Sequence, residues 1–421
     1  MPNAHPTRKA LLAATSLLAL LGNVHAQQPA ADPIAKVIAE LKLENYKATI
    51  KGLTQFGDRR QGTERNRKAL DWIEAQLKSY GCTNTERLQY MFTEPEKRSY
   101  GSSAAPLPAR AGGPAGQGGS TLFGQRAPTG VNQDAMAQPD ERLRKLNEEP
   151  TPPGTSLREN VYCTKIGKTH PEEMYIVGAH MDGIGWGEAA NDNGSGTALV
   201  MELARIFSMP GVETERSVRF ILWNNEETGL NGAAAYVQQR LQLQGIESPK
   251  GSGKYPEPRW LGMIQHDMMM FDHGMPVPVL DAKGKPVLDA SGKPRYAPPK
   301  EQRAEADVNI EYQANSRFAD AAAKLAWTFR AANDKYATNY PAAVGFHMTN
   351  TDSTPFMDWV PAISLRENER GQQIGAGWNP HWHQPTDLYV NYSDKDFLLG
   401  LNAAQTTGAA IAGLVGLRIA P

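Results

Sequence analysis

The chain has 421 residues, of which 40% are hydrophobic and 21% are charged, and its formal net charge at pH 7 is −1. This composition is typical of globular proteins, and the length suffices for one large domain or two small ones. The near-neutral charge excludes recruitment of nucleic acid or an anionic membrane by bulk electrostatics, so we expect no nucleic-acid partner.

The N-terminus has the pattern of a signal peptide. Arg8 and Lys9 precede an apolar run, Ala10–Leu21, and Val24-His25-Ala26 supplies the small residues that a signal peptidase reads. We predict a signal peptide at residues 1–26 and an exported protein, periplasmic or secreted, with a mature chain of 27–421. The apolar run is too short for a permanent span, and no later stretch is apolar enough to be one, since the nearest, Gly408–Leu417, is short and Gly-rich. We therefore expect no membrane anchor.

The first part of the mature chain predicts helices followed by a strand. Apolar residues recur at helical spacing over 32–56 and, more clearly, over 63–80, where Gly81 is a stop signal. Residues 86–92 have the pattern of a strand. A stretch at about 99–155 is rich in Gly, Pro, Ala and Ser and poor in periodic apolar residues, which indicates a surface insertion. A lid or pro-segment covering a site is the alternative for this insertion.

Cys82 and Cys163 are the two cysteines of the chain. In an exported protein such a pair forms a disulfide more often than a metal site. Cys82 precedes the first predicted strand and Cys163 lies in the second, at 160–166, so a bridge between them is reasonable if these strands pair.

The centre of the chain alternates strands, turns and helices. Strands are predicted at 174–179 and 218–223, and helices at 195–208 and 233–241. The next apolar run, at 261–270, is broken by His266-Asp267. This order is typical of an α/β domain with a largely parallel sheet centre flanked by helices. A second insertion, at about 272–305, holds a tandem octapeptide (278–285 and 286–293) that predicts a protruding hairpin.

The last third of the chain predicts further elements of the same kind. A helix is expected at 315–333 and a strand at 361–365. Ser393 is placed to cap a final helix that ends near Leu417. The whole pattern is compatible with one domain that carries two insertions.

Candidate metal ligands follow the predicted strands in four separate segments. They are His180 with Asp192, the pair Glu226-Glu227, Asp267, and His383. Ligands are expected at the carboxyl ends of the strands in open α/β sheets. Imidazole nitrogens and carboxylate oxygens suit zinc. A pair of zinc ions needs a bridging carboxylate, further ligands on each side and one unbound carboxylate to handle protons, and these segments supply such a set.

From Asp32 onward the sequence resembles the M28 family of co-catalytic zinc aminopeptidases. The resemblance lies in the segments Ala179–Asp182, Asn191–Gly196, Asn225–Leu230, His266–Met268 and His383–Asp387, with Phe56–Arg59 and Trp72–Leu77 similar to the leading part of the family. It implies a zinc-peptidase-like α/β domain with a twisted mixed sheet, and hydrolysis of N-terminal residues from peptide substrates.

The resemblance also implies a role for each site residue. His180 and Asp267 would bind one Zn²⁺, Glu227 and His383 the other, and Asp192 would bridge the two. Glu226 would be the general base and acid, and Asp182 would orient His180. Asp387 would support His383 in the same way. The bond between Asp192 and Asn193 would be cis, as in many members.

One segment departs from the family pattern. Members often carry Ser-Asp-His before Pro-Phe with a tyrosine upstream, whereas this chain has Thr351-Asp352-Ser353 and no tyrosine there. His347 is a candidate for the missing contact to the reacting oxygen, or else a residue of the pocket wall. His381 would share a face with His383 only if that stretch were extended.

Three alternatives to an aminopeptidase stay open from the sequence. The first two are a carboxypeptidase and a single-zinc glutaminyl cyclase of the same superfamily. The third is an inactive binding domain, although such a domain would be expected to have lost ligands or Glu226. Neither the preferred side chain of the substrate nor the oligomeric state follows from the sequence.

Overall fold

The computed structural model describes residues 32–94, 131–272, 279–290, 292, 295, 306–348, 350–367, 379 and 381–420. The predicted signal peptide, residues 1–26, lies outside this range. From Pro33 onward the described residues form one compact unit.

An eight-stranded mixed sheet forms the middle of the structure. In chain order its strands are β1 (Glu86–Glu94), β2 (Gly154–Lys165), β3 (His170–His180), β5 (Arg216–Trp223), β6 (Arg259–His266), β7 (Val308–Tyr312), β8 (Ala342–Gly345) and β9 (Ala362–Glu367). Their spatial order is β1-β2-β5-β3-β6-β9-β7-β8. β5, β3, β6 and β9 are parallel neighbours, whereas β1, β2 and β5 pair antiparallel, as do β9 and β7. The predicted fold class is confirmed.

The central parallel strands are buried on both faces of the sheet. From Ser217 to Trp223 every residue of β5 is buried, as is the second half of β3. Strands of this kind need helices on both sides of the sheet. Ala179 pairs with Leu222 of β5 and with His266 of β6, so the carboxyl ends of the three strands coincide. The segments that follow them therefore meet at one edge.

Helices cover both faces of this sheet. In chain order they are α1 (Pro33–Ile38), α2 (Leu43–Thr54), α3 (Glu64–Ser79), α4 (Glu141–Asn147), α5 (Gly194–Phe207), α6 (Asn231–Arg240), α7 (Ala319–Tyr336) and α8 (Asp394–Leu414). The larger core includes residues of α1, α2, α3, α5, α7 and α8. The smaller core lies around α6, where Trp223, Tyr236 and Phe356 pack together.

Helix α8 is the one described helix long and apolar enough to cross a membrane, and 78% of its apolar window is buried in the fold. The sequence patterns did not predict a later stretch of this kind. Ser393 caps the helix, as predicted, and forms a capping box with Asp396. Because the helix packs against α5 and α7, it serves as a core helix here.

Several elements differ from the sequence prediction. The helical region predicted at 32–56 is two helices, α1 and α2, and the strands β7 and β8 were not predicted. A further pair of short strands, β4 (Val212–Glu213) and β10 (Arg418–Ile419), forms a separate ribbon. In the second insertion, the N–H of Gly284 donates to Asp281 O, and the N–H of Gly292 donates to Asp289 O. Each octapeptide therefore contains one exposed turn.

The first insertion is partly integrated into the fold. Its described part contains α4, and Gln138, Leu143 and Asn147 are buried, with at most 2% of each residue exposed. This part is therefore more than a surface appendage. Cys82 and Cys163 are joined by a disulfide with their Cα atoms 6.0 Å apart, and β1 and β2 pair as that bridge requires.

Candidate metal centre

The candidate ligands meet at the carboxyl edge of the parallel strands. His180 ends β3, Asp267 directly follows β6, and Glu226-Glu227 follow β5 after a short turn. Asp192 precedes α5, and His383 comes from the segment between β9 and α8. They surround a cavity of about 400 Å³, lined by His180, Asp192, Glu226, Glu227, Gly229, Asp267, Met268, Asn350, Arg366, Trp382 and His383.

One group of ligands forms around His180. Its Nε2 atom lies 3.4 Å from Oδ1 of Asp192 and 3.4 Å from Oδ1 of Asp267. His180 and Asp192 are 1% and 5% exposed, so these contacts are shielded from water.

A second group forms around His383. Its Nε2 atom lies 3.0 Å from Oδ2 of Asp192 and 3.0 Å from Oε2 of Glu227. Asp192 thus faces one histidine with each of its two carboxylate oxygens. The two groups share this residue, as a bridging ligand requires. The Asp192–Asn193 bond is cis, as the resemblance implies.

The chemistry of these groups fits zinc. The ligand atoms of each group lie within 4.8 Å of one another, and they are the imidazole nitrogens and carboxylate oxygens that zinc takes. Oε1 of Glu227 is buried without a hydrogen-bond partner in the described part of the chain. A buried carboxylate oxygen in that state needs a cation or a proton. The site therefore suits divalent cations.

Burial dominates the electrostatics of the acids. It raises the pKa of Glu226 well above the usual range, and it raises the pKa of Glu227 to about 7. Burial would do the same to Asp192, but hydrogen bonds from His180 and His383 outweigh it and hold the pKa of Asp192 below its usual value. Although burial opposes it, the neighbouring Glu227 and Asp192 raise the pKa of His383 to about 10.

Asp182 lies beside His180 but serves a second residue as well. The Nδ1 atom of His180 lies 3.0 Å from the backbone carbonyl of Asp182 and 3.8 Å from its carboxylate. The carboxylate instead accepts a hydrogen bond of 3.1 Å from the backbone N–H of Glu226. Asp182 thus links the histidine at the end of β3 to the candidate general base.

Asp387 supports Asp192, whereas the resemblance implied that it would support His383. Its two carboxylate oxygens accept hydrogen bonds from the backbone N–H groups of Asn191 (2.9 Å) and Asp192 (3.0 Å). The hydroxyl of Tyr392 donates a third bond of 2.8 Å. Nδ1 of His383 is buried without a partner in the described part of the chain. The turn at 381–386 explains the difference, because it directs Asp387 toward the loop before α5.

The two other candidate histidines lie beside the site. His381 contacts the hydroxyl of Thr386 at 2.9 Å, and its ring packs edge-on against Phe271 and Tyr392. His383 has a positive φ of 55°, so the stretch is not extended and the two rings do not share a strand face. His347 is exposed, pairs with Gln313 in a β-bridge and does not line the cavity that holds the candidate ligands.

A close approach of two loops fixes His383. Gly185 has a φ of +98°, and a Cβ atom there would overlap the main chain of His383. Glycine is required at such a position because it alone combines positive φ with no side chain. From the first insertion, the N–H of Asn132 donates to the carbonyl of His383 at 3.0 Å.

Some residues of the site were not predicted. Arg366 and Asn350 line the cavity, and Asp352 is fully buried and accepts a 3.0 Å hydrogen bond from Gln265. Arg59, also fully buried, donates to the carbonyls of Met181, Glu188 and Ala189, each at 2.8 Å. The Gly-Asp-Arg segment was a recognisable signal for Arg59, but the sequence did not reveal its role.

The fold and the site together define an α/β protein with a candidate metal centre at the carboxyl edge of its sheet. The family model described as Peptidase family M28 matches residues 160–404, more than half of the chain. The chain belongs to peptidase family M28.

Curated relatives support the same family. The probable lipoprotein aminopeptidase LpqL of Mycobacterium tuberculosis (strain ATCC 25618 / H37Rv) is 32% identical over 302 residues, 71% of this chain and 50% of that protein. Aminopeptidase YwaD of Bacillus subtilis (strain 168) is 41% identical over 68 residues, 16% of this chain and 14% of that protein. The matches span half or less of the length of these relatives.

Solved structures share the fold. An aminopeptidase from Aneurinibacillus sp. strain AM-1 has a TM-score of 0.54 at 18% identity, covering 92% of this chain and 96% of that one. BSAP, a zinc aminopeptidase from Bacillus subtilis, has a TM-score of 0.54 at 16% identity, covering 89% and 95%. A glutaminyl cyclase from Porphyromonas gingivalis has a TM-score of 0.52 at 15% identity, covering 89% and 99%.

Proposed function

We propose that this protein is an exported aminopeptidase that holds two zinc ions and removes N-terminal residues from peptides. The observation that carries the proposal is the pair of ligand groups that share Asp192, with Glu226 in the same cavity. The family membership and the aminopeptidases among its relatives support this proposal.

The residues of the chain divide into ligands and proton carriers. His180 and Asp267 would hold one zinc ion, Glu227 and His383 the other, and Asp192 both. Zinc, when bound, supplies a Lewis acid that polarises a carbonyl and lowers the pKa of water. Each of the two histidines presents Nε2 to the carboxylates, which is the atom available for a metal.

Glu226 would handle the proton. Its carboxylate lies in the cavity with the ligands, close to His180 and Glu227, and this proximity supports a role at the reacting atoms. It would accept a proton from water and deliver it to the leaving amine, as a general base and then a general acid. Asp182 holds the backbone of Glu226 and would keep this carboxylate aimed at the cavity.

The test compares peptides that differ only at their N-terminus. Purified full-length protein is loaded with zinc and assayed on free and N-acetylated forms of one peptide. Cleavage of the free form alone is expected. Cleavage of the acetylated form from its C-terminus would favour a carboxypeptidase, cyclisation of an N-terminal glutamine would favour a cyclase, and no turnover would favour an inactive domain.

Export of the protein is the remaining part of the proposal. The signal-peptide pattern at residues 1–26 supports export, with cleavage after Ala26. N-terminal sequencing of protein recovered from the periplasm or medium checks this. A mature chain that starts at Gln27 is expected, whereas full-length protein kept in the cytoplasm would contradict it.

A further inference from the structure

The two candidate histidine ligands are oriented in different ways. Nδ1 of His180 lies 3.0 Å from the backbone carbonyl of Asp182, a usual partner for the second nitrogen of a metal-bound histidine. Nδ1 of His383 is buried and has no hydrogen-bond partner in the described part of the chain. The carboxylate of Asp387 accepts hydrogen bonds from the loop before α5 instead. Another contact therefore has to fix the plane of the His383 ring.

The side chain of Trp382 supplies such a contact. The centroid of a Trp382 ring lies 3.8 Å from the centroid of the His383 imidazole, and the two planes differ by 24°, so the rings are stacked. Trp382 also lines the cavity that the candidate ligands surround. The indole thus covers one face of the imidazole, while Nε2 at the edge of the ring stays directed at Asp192 and Glu227.

The main chain of His383 is held by other residues. Its φ is 55°, and its carbonyl accepts a hydrogen bond of 3.0 Å from the N–H of Asn132. Gly185 approaches the same main chain so closely that a Cβ atom there would overlap it. These contacts place the backbone but do not set the rotation of the imidazole about χ2, which in a ring torsion is only broadly restricted. That rotation depends on what the ring itself touches.

Stacking suits a ligand that faces a cation. Stacked aromatic pairs are stabilised beyond the burial of their surfaces. A divalent cation bound at Nε2 draws electrons from the imidazole, and an electron-poor ring is attracted to the electron-rich face of an indole, as in a cation–π contact. The stack of Trp382 on His383 should therefore stabilise the metal-bound ring more than the metal-free ring.

We propose that Trp382 is a positioning residue for the zinc ion that Glu227 and His383 would hold. Its indole keeps the imidazole in the plane in which Nε2 faces Asp192, and it takes the place of the hydrogen bond that orients His180. This inference rests on the proposed function and deepens it, because it names a side chain on which the affinity for one of the two cations depends. Trp382 takes no part in the proton transfer.

Zinc affinities of the full-length protein, resolved for the two sites, test the proposal. Metal-free wild type and Trp382→Leu are titrated with zinc in competition with a chelator of known affinity. We expect the affinity of one site to be about 3- to 30-fold lower in Trp382→Leu, which is the range for loss of an aromatic or cation–π contact in a partly desolvated place. The affinity of the other site should change by less than about twofold.

Two further variants separate the aromatic contact from a general loss of packing. Trp382→Phe keeps an aromatic face with a weaker attraction for cations, so its zinc affinity should lie between those of wild type and Trp382→Leu. A loss in Trp382→Phe as large as in Trp382→Leu would contradict an aromatic contact. Trp327→Leu is the matched control, because Trp327 is 60% exposed on α7, and it should leave both affinities unchanged.

The outcomes keep this inference apart from the proposed function. Equal zinc affinities of wild type and Trp382→Leu would overturn the inference and leave the proposed function intact. Zinc binding that depends on Trp382 without hydrolysis of any peptide would uphold the inference while the proposed function fails. If the wild type binds no zinc, both fail. Circular dichroism of the metal-free variants checks their folding, and if Trp382→Leu does not fold, an affinity of Trp382→Phe equal to wild type refutes the inference.

Discussion

At the scale of single residues, the candidate base and the ligands are separate groups that substitution can tell apart. Glu226 lies close to the ligands Glu227 and His180, but it takes no part in the contacts of His180 with Asp192 and Asp267 or of His383 with Asp192 and Glu227. The structure gives Glu226 a backbone bond to Asp182 and leaves its carboxylate in the cavity. The base can therefore be neutralised while the ligand groups stay in place.

Glu226→Gln should keep zinc and lose nearly all turnover. General acid–base catalysis contributes about 10²- to 10⁴-fold, so kcat should fall by at least that range while the metal content stays at the wild-type value. Metal analysis of the dialysed protein and steady-state kinetics measure the two effects. Glu202→Gln, which removes a carboxylate paired with Arg205 outside the cavity, should leave both unchanged. Retained turnover would remove Glu226 from its role.

Asp387→Asn should weaken metal binding although Asp387 is not a candidate ligand. Its carboxylate accepts the N–H groups of Asn191 and Asp192, and an amide can accept only one of these bonds. Loss of such support costs about 10- to 100-fold in metal affinity or activity. Competition with a zinc chelator measures it, with the exposed Asp394→Asn as control. Unchanged zinc affinity would mean that the loop before α5 holds Asp192 by itself.

The sequence predicted the ligands better than the wall around them. His180, Asp192, Glu226, Glu227, Asp267 and His383 stand in short segments whose order carries the resemblance. Arg366 has no such signal, because it is one residue of a buried strand and enters the cavity only through the pairing of β9 with β6. The sequence also did not reveal that Asp387 contacts the backbone of Asp192, because the turn at 381–386 sets the direction of the Asp387 side chain.

At the scale of elements, the described part of the first insertion holds two loops of the site together through hydrogen bonds. Gln138, fully buried, donates from Nε2 to Trp186 O and to Pro385 O, both at 2.9 Å. Asn147 donates to Gly187 O at 2.8 Å. The insertion thus ties the Gly-rich loop after β3 to the loop that carries His383. Its composition gave no sign of this role, because the bonds go to backbone carbonyls.

Gln138→Ala should loosen the His383 loop. Loss of the Gln138 amide leaves the carbonyls of Trp186 and Pro385 without this donor. The cost is about 1 to 3 kcal/mol for each carbonyl if no water replaces the amide. We expect weaker binding of one zinc ion and faster hydrogen exchange at 381–387, with the other zinc ion retained. Gln133→Ala, an exposed neighbour, is the control. Equal loss of both zinc ions would indicate general unfolding and contradict a local clamp.

The elements themselves were predicted where periodicity was strong. The central strands and α5 lie within a few residues of their predicted bounds, because apolar runs and caps mark them. β8 has only four residues and β7 five, and β7 follows the second insertion. Short strands near a sheet edge depend on their neighbours more than on their own sequence.

At the scale of the whole molecule, the disulfide constrains a long stretch of chain. Cys82 and Cys163 are separated by 81 residues, and this loop includes β1 and the first insertion. A crosslink over such a loop restricts the unfolded chain, and removing a native disulfide costs about 2 to 5 kcal/mol in small secreted domains. The bridge should therefore contribute measurably to the free energy of unfolding.

Reduction of the disulfide should lower the urea concentration at the unfolding midpoint by an amount that corresponds to about 2 to 5 kcal/mol. The double substitution Cys82→Ser with Cys163→Ser should lower it similarly and make it insensitive to reductant. Circular dichroism against urea concentration, with and without reductant, measures both. If wild type and double variant unfold at the same midpoint under oxidising conditions, the crosslink contributes no stability.

The positions of the central side chains along the sequence have a consequence for when the protein becomes active. Five of the six central side chains precede residue 268, but His383 is translated late and enters beside α8. A nascent chain still emerging from the ribosome can display Asp192 and Glu227 without the imidazole that completes their group. On the proposed function, peptide hydrolysis thus has to wait until translation has passed His383.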